Sequence, residues 1–293
     1  MSGKRLKEIV AARNATIMPG APNAMFARIV EDLGFETVYI SGAGIANMHL
    51  GAPDIGLITM SEIQNVVASV SDAVSIPIVV DIDTGFGNPL NTIRTVRSLE
   101  RAGASGLQIE DQIFPKRCGH FSGKEVVPVD EIVQKIQAAV DTRIDPNLQI
   151  IARTDSRAVL GLDAAIERGQ KFVEAGADVI FIEAPLSEDE LRRVAKEITA
   201  PQLVNIVFGG LTPALSQAKF KEMGFSIVLY ANAALQAALK AANEVLGALK
   251  SEGSLDSVRD RLASFEERQR VVEKHKYDKL EALYTNGSGA ERK

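Results

Sequence analysis

One cysteine and three histidines occur in 293 residues, and the cysteine, Cys118, stands two positions from one of the histidines, His120. Both lie in "EDQIFPKRCGHFSGKEVVP", next to Lys116 and Arg117. A lone cysteine is more often a small core hydrophobe than a reagent, but Lys116, Arg117, Gly119 and His120 make a cationic rather than an apolar setting. Adjacent positive charge lowers a thiol pKa and makes it a usable acid or base. The stretch from Phe114 to Pro128 has the length and polarity of a long loop, and loops of that length in compact domains often cover sites. One Cys and one His are too few for a zinc site. Catalysis is therefore the expected role of Cys118.

A second group is acidic. Asp81 and Asp83 close the apolar run "IPIVVDID", and Glu110 closes "GLQIEDQ". Read as strand residues, the two aspartates point the same way, because strand side chains alternate with period two. Carboxylates brought together repel unless a cation lies among them, and all-oxygen donors favour a hard ion, Mg²⁺ or Mn²⁺.

Such groups need elements to carry them. A helical stretch ending in Gly and followed by a short apolar run recurs at "EDLGFETVYISG", "ERAGASGLQIED", "VEAGADVIFIEAP" and "KEMGFSIVLYAN". Glycine just past a helix end takes the left-handed conformation without steric cost, and short Val/Ile-rich runs without alternation read as strands buried on both faces. Eight such runs are present: "ATIMPGA", "TVYISG", "IPIVVDID", "GLQIEDQ", "LQIIARTDS", "DVIFIEAP", "PQLVNIVF" and "SIVLYAN". Amphipathic stretches at 61–74, 90–102, 160–175 and 213–223 separate several of them. Alternating strands and helices imply a parallel sheet, and eight units imply a closed (β/α)₈ barrel. An open doubly wound sheet is disfavoured by the lack of G-x-G-x-x-G after the first strand. In "DTGFGNP" we read a turn, with Asn88 capping a helix that begins at Pro89.

Barrel active sites lie at the C-terminal strand ends. There the sequence places Ser41, Asp81, Asp83, Glu110, Asp111, Arg153, Asp155, Glu183 and Asn205. Any one of them could merely cap a helix or form a rim salt bridge; a polar residue at the end of six consecutive runs is harder to explain so.

Composition bounds the rest. Hydrophobic residues make up 46% and charged residues 24%, with net charge −5, which is ordinary for a globular enzyme and argues against a nucleic-acid partner. No internal disulfide, membrane-spanning run or signal peptide is expected, so the expected location is the cytoplasm. After the eighth run, "ALQAALKAANEVLGALK" and "SLDSVRDRLASFEERQRVVEKHKYDKLEALY" read as surplus helices, the latter opened by a Ser254 or Asp256 cap. Their apolar stripe calls for a covering surface, on the barrel or on another subunit. The expected organisation is one domain over 1–285, with a helical extension from about 233 and a disordered tail at 286–293.

The stretches "YISGAG", "PDIGLIT", "DIDTGFGN", "EDQIFPKRCGH", "IARTDS", "IEAP" and "GGLTPALSQAKFKEMGF" together resemble the isocitrate lyase/PEP mutase superfamily, and "KRCGH" its lyase branch. The resemblance implies an Mg²⁺-dependent (β/α)₈ barrel that exchanges a C-terminal helix between subunits and forms a homotetramer, a dimer of dimers. It implies that Tyr39, Ser41, Gly42 and Ala43 bind one end of a small carboxylate substrate, and that Asp81, Asp83 and Glu110 hold the metal, partly through water. It makes Cys118 the acid that protonates a departing carbanion. Lys116, His120 and Arg153 would stabilise developing negative charge, with Asp54, Gly119, Glu183 and Asn205 also around the substrate. The expected activity is cleavage of a carbon–carbon bond in a 2-hydroxy dicarboxylate of the dimethylmalate type. Phosphonomutase, oxaloacetate hydrolase and methylisocitrate lyase activities are the alternatives, along with binding without turnover. Three positions depart from the family pattern. Gln236 and Phe265 stand where tricarboxylate-cleaving members carry arginines, and Phe208 stands where a glutamate is usual.

Overall fold

The computed structural model describes residues 2–117, 119 and 123–285. Eight strands appear, in chain order β1 (Thr16–Pro19), β2 (Val38–Ile40), β3 (Ile78–Asp81), β4 (Gly106–Glu110), β5 (Gln149–Thr154), β6 (Val179–Ile182), β7 (Gln202–Asn205) and β8 (Ile227–Tyr230). Each coincides with one of the eight apolar runs. They pair in parallel in the order β1-β8-β7-β6-β5-β4-β3-β2. The remaining seam is joined just past β1, where Gly20 bridges Tyr39 and the Ala21 amide donates to the Tyr39 carbonyl at 2.8 Å. Glycine is required there, since a Cβ on Gly20 would lie 1.9 Å from the Ala231 carbonyl oxygen. The fold is the expected (β/α)₈ barrel.

The helices follow from local signals. Asn88 caps the helix Pro89–Arg101 by accepting from the Leu90 and Asn91 amides, and Pro89 stands at its first turn. Thr59 and Glu62 form a capping box at Met60–Ala73, which satisfies amides that a helix start leaves unpaired. The recurrent helix-ending glycines, Gly34, Gly103, Gly176 and Gly224, all have positive φ.

Burial sorts the strand residues into two faces. Ile78, Val80, Leu107, Ile109, Ile150, Ala152, Ile180 and Ile182 pack outward in the large cluster shared with the helices. Tyr39, Val79, Ile151, Val179, Phe181, Leu203, Ile227 and Leu229 point inward, in a cluster with Leu6 and Val10 of the N-terminal helix Ser2–Ala12. The period-two rule then places Ser41, Asp81, Gln108, Glu110, Arg153, Glu183 and Asn205 on the inward series too. The barrel lumen is aliphatic in its lower part and polar at the C-terminal strand ends.

Contacts divide the chain into two compact units, one up to Leu235 and one from Gln236 onward. The helix Ala233–Glu252 begins in the first unit and continues into the second, with none of its residues buried. The region after it is not one long helix. A 3₁₀ turn at Asp256–Arg261 is followed by helices at Phe265–Val271 and Lys274–Thr285. The Ser254 hydroxyl does accept from the Asp256 amide at 3.1 Å, but the α-helical cap is Ser264, which accepts from Glu267.

Candidate active site

Tyr39 and Gln108 face each other across the lumen. The Tyr39 hydroxyl donates to Gln108 Oε1 at 2.8 Å, and Gln108 Nε2 donates to Asp81 Oδ1 at 3.4 Å. Burial, reinforced by Asp81, raises the phenol pKa well above its ordinary value. The backbone amide of Gly42, at the start of the short helix Gly42–Ile45, donates to Asp81 Oδ2 at 3.3 Å. Ser41 precedes that helix and Ala43 lies within it, both buried.

Asp83 is not a strand residue. β3 ends at Asp81, and Asp83 turns back with φ of 46°, its amide donating to Asp81 Oδ1 at 3.1 Å. The turn still brings both carboxylates to one place: a Cβ on Gly42 would lie 3.1 Å from Asp83 Oδ1 and 3.4 Å from Asp81 Oδ2. Lys116, 3% exposed, reaches into this place from the loop after β4. Its ammonium lies 2.5 Å from Asp54 Oδ1 and 3.1 Å from Asp83 Oδ1. Burial alone would lower the Lys116 pKa, but Asp83, Glu110, Asp81 and Asp54 together raise it. Burial pushes Asp83 up to about 7 despite the pull of Lys116. Asp54 thus sits on Lys116, tying its own loop to the loop after β4.

Arg153 is the second buried cation. Its Nε lies 2.9 Å from Asp155 Oδ2 and 3.3 Å from Glu110 Oε2, and its Nη2 lies 3.1 Å from Glu183 Oε2. Its guanidinium carbon stands 5.2 Å from the centre of the Phe181 ring, which forms its floor. Asp155 also accepts from Lys124 Nζ at 2.9 Å. Burial alone would raise Asp155, yet Arg153 and Lys124 hold it below the ordinary carboxylate range. Glu110 is raised by burial, against Arg153.

Gly119 touches this group directly. A Cβ there would fall 2.4 Å from Arg153 Nη2 and 2.8 Å from Glu183 Cγ, so only glycine fits. Its flanking residues in sequence, Cys118 and His120, lie outside the described residues. Asn205 ends β7 with Oδ1 buried and unpartnered among the described residues. Phe208 is 89% exposed, so its ring does not line the pocket of this chain.

The donor set suits a hard cation. Six carboxylates, Asp54, Asp81, Asp83, Glu110, Asp155 and Glu183, converge on three cations, Lys116, Lys124 and Arg153. Among the described residues, Glu110 Oε1 is buried without a hydrogen-bond partner, a costly state for a carboxylate with nothing to balance it. Among the described residues, no three Asp, Glu, His or Cys side chains form a ready cage.

A family model described as phosphoenolpyruvate phosphomutase matches residues 6–250. The chain belongs to that family, within the isocitrate lyase/PEP mutase superfamily. It is 41% identical over 283 residues to 2,3-dimethylmalate lyase of Eubacterium barkeri, covering 97% of this chain and 98% of that protein. It is 42% identical over 280 residues to 2-methylisocitrate lyase of Aeropyrum pernix, covering 96% and 90%. A crystal structure of 2,3-dimethylmalate lyase superposes with a TM-score of 0.91 at 33% identity, covering 99% of this chain and 97% of that one. The chain is therefore an enzyme of a superfamily of lyases and mutases.

Reading the strand ends picked out most of this constellation. It does not pick out Gln108, Lys124 or, behind the cluster on the helix Leu162–Glu174, Arg168, whose Nε donates to Asp111 Oδ2. Gln108 was accessible, as a polar residue two positions before Glu110 inside an apolar strand. Arg168 was accessible as a charge on the apolar face formed by Ala165, Gly169 and Phe172. Nothing local marks Lys124.

Proposed function

We propose that this enzyme is a Mg²⁺-dependent carbon–carbon lyase acting on a small 2-hydroxy dicarboxylate of the 2,3-dimethylmalate type. The observation that carries this reading is Gly119 packed on Arg153 and Glu183, which seats the loop of the lone cysteine on the buried ion cluster. Mg²⁺ bound near Asp81, Asp83 and Glu110 would supply Lewis-acid charge beside the substrate's carboxylate and 2-oxygen.

The chain's own groups supply the rest. Arg153, fixed by Asp155, Glu110 and Glu183, and Lys116, fixed by Asp54 and Asp83, present pre-oriented cations to the carboxylates of the acid. Such donors stabilise charge that develops in the transition state, each worth about 3 kcal/mol. The C2–C3 bond breaks, the 2-hydroxyl gives up its proton to a carboxylate of the buried cluster, and C2 becomes the keto carbon of pyruvate. The electron pair left on C3 takes a proton from the Cys118 thiol, releasing propionate from dimethylmalate. The resemblance assigns His120 to the developing negative charge as well, and Tyr39, through Gln108, keeps Asp81 in place.

Gln236 and Phe265 favour a dicarboxylate over methylisocitrate. Phe265 is 72% exposed, with Arg268 stacked 5.0 Å from its ring centre. The position that holds an arginine in tricarboxylate-cleaving relatives thus offers no side-chain charge of its own. A charge-assisted hydrogen bond is worth about 1.5–3 kcal/mol, so the lack of two predicts a roughly 10²–10⁴-fold deficit in kcat/KM for the tricarboxylate. The test is pyruvate or oxalate release from 2,3-dimethylmalate, 2-methylisocitrate, malate and oxaloacetate under identical Mg²⁺. Dimethylmalate should lead. Methylisocitrate ahead by more than about tenfold, ~1.4 kcal/mol, would overturn the reading of those two positions.

A further inference from the structure

Behind the ion cluster lies a second buried pair that touches none of the substrate-facing groups directly. Arg168 projects from the helix Leu162–Glu174 toward the barrel, and its Nε donates to Asp111 Oδ2 at 2.9 Å. Both residues are buried, Asp111 completely. The same Asp111 oxygen accepts from the Thr154 hydroxyl at 2.5 Å, and Asp111 Oδ1 accepts from the Asp155 backbone amide at 2.9 Å. Asp111 therefore grips the two residues that follow Arg153 at the end of β5. Asp155 in turn holds the Arg153 guanidinium with two hydrogen bonds, at 2.9 and 3.1 Å.

Arg168 does more than neutralise Asp111. Its Nη2 donates to the Val127 carbonyl at 2.7 Å, while the Val127 amide donates to the Asp111 carbonyl at 2.9 Å. One residue inward from this pair, Gln112 bridges Val126 in antiparallel fashion, and Ile113 donates to Glu125. These contacts form the stem of the loop that carries Lys116 and Gly119. A single guanidinium thus clamps both limbs of that stem and the carboxylate that orients the end of β5.

We infer that Arg168 and Asp111 are positioning residues, which set the register between the Lys116 loop and Arg153. The inference rests on the proposed role of Arg153 as a substrate-binding cation. A buried ion pair placed only for stability would need one good contact. This one uses two donors of the guanidinium, Nε on Asp111 and Nη2 on Val127, on two segments that must meet for Gly119 to seat on Arg153. Displacing reacting groups by about 1 Å can cost roughly 10²-fold in rate, so a clamp on the stem has a large effect without touching substrate.

The variants to compare are Arg168→Lys and Asp111→Asn, kept to protein whose circular dichroism and elution volume match wild type. Lysine retains the charge opposite Asp111 but cannot span Asp111 and Val127 together. The expected result for Arg168→Lys is a near-native melting temperature with kcat lowered at least about tenfold and KM changed less, as a misplaced cation predicts. Its crystal structure, which needs no ligand, should show Arg153 no longer bonded twice to Asp155 or the 112–126 bridge opened. Wild-type kcat in Arg168→Lys, or an unmoved Arg153 and stem in its crystal structure, would overturn the inference. If wild type cleaves none of the acids, the functional proposal fails and the crystal structure still decides the positioning. If Arg168→Lys does not fold, Asp111→Asn decides: it loses the ion pair but keeps the acceptor for the Asp155 amide, and wild-type kcat there would likewise refute the clamp.

Discussion

Every residue of β3, β4, β5, β6 and β7 is buried, whereas the helix Ala233–Glu252 has no buried residue at all. At their C-terminal ends Asp81, Glu110 and Arg153 find partners inside the barrel. The helix carries Leu239, Leu246 and Leu249 in the open, and Leu262, Phe265, Tyr277, Leu280 and Tyr284 are likewise exposed further along. The contrast teaches where each region finds its complement. The barrel makes its own, at the cost of burying charge that must be paired or balanced by a cation. The C-terminal unit leaves its complement to something else, and a second copy of the chain is the occupant we propose, in a tetramer.

Changes at the strand ends should therefore abolish chemistry in a folded protein, and changes in the C-terminal unit should alter assembly first. The largest effect is expected from Cys118→Ser. Loss of the proton donor should lower kcat by about 10²–10⁴-fold, while oxalate binding measured calorimetrically stays near wild type. Wild-type rates would reassign Cys118 to packing. Next, a double substitution Leu239→Glu with Leu246→Glu should turn a tetrameric mass by light scattering into a smaller one. A wild-type chain that is already monomeric at micromolar concentration would break the comparison, because the apolar helix would then be free in solution.

A smaller effect sharpens it at the barrel rim. Arg157 Nη2 lies 2.6 Å from Glu190 Oε1, and that hydrogen bond holds the Glu190 carboxyl below its ordinary value. A depressed folded pKa means the stabilisation is present above the unfolded value, about 4.3. It is lost as pH falls through the lower folded value. Arg157→Ala should cost about 0.2–1 kcal/mol at pH 7 by chemical denaturation, with the difference shrinking below about pH 4. A difference that grows toward acid would contradict the assignment.

The eight strands were legible because strands buried on both faces read as unbroken apolar runs, and the glycines that end the preceding helices punctuate them. Most of the polar strand ends were legible for the same reason, since a charge closing such a run is conspicuous. Strand alternation does not account for Asp83: a left-handed turn brings it to Asp81. The partners of Lys116 were not legible. Asp54 is 62 residues away, and a pair made between two loops leaves no periodic trace. After Ser254 the sequence allows one or two helices and two α-helices are present; the 3₁₀ turn before them leaves no trace in the apolar pattern.

The surplus of buried carboxylates around the strand ends calls for a balancing charge, and a divalent cation on which turnover depends is the one we propose. The most direct measurement is pyruvate release from 2,3-dimethylmalate with saturating Mg²⁺, after exhaustive EDTA treatment, and again after Mg²⁺ is restored. The expected result is turnover, its loss with EDTA while the protein stays folded by circular dichroism, and recovery on restoration. Undiminished turnover in EDTA would contradict the account.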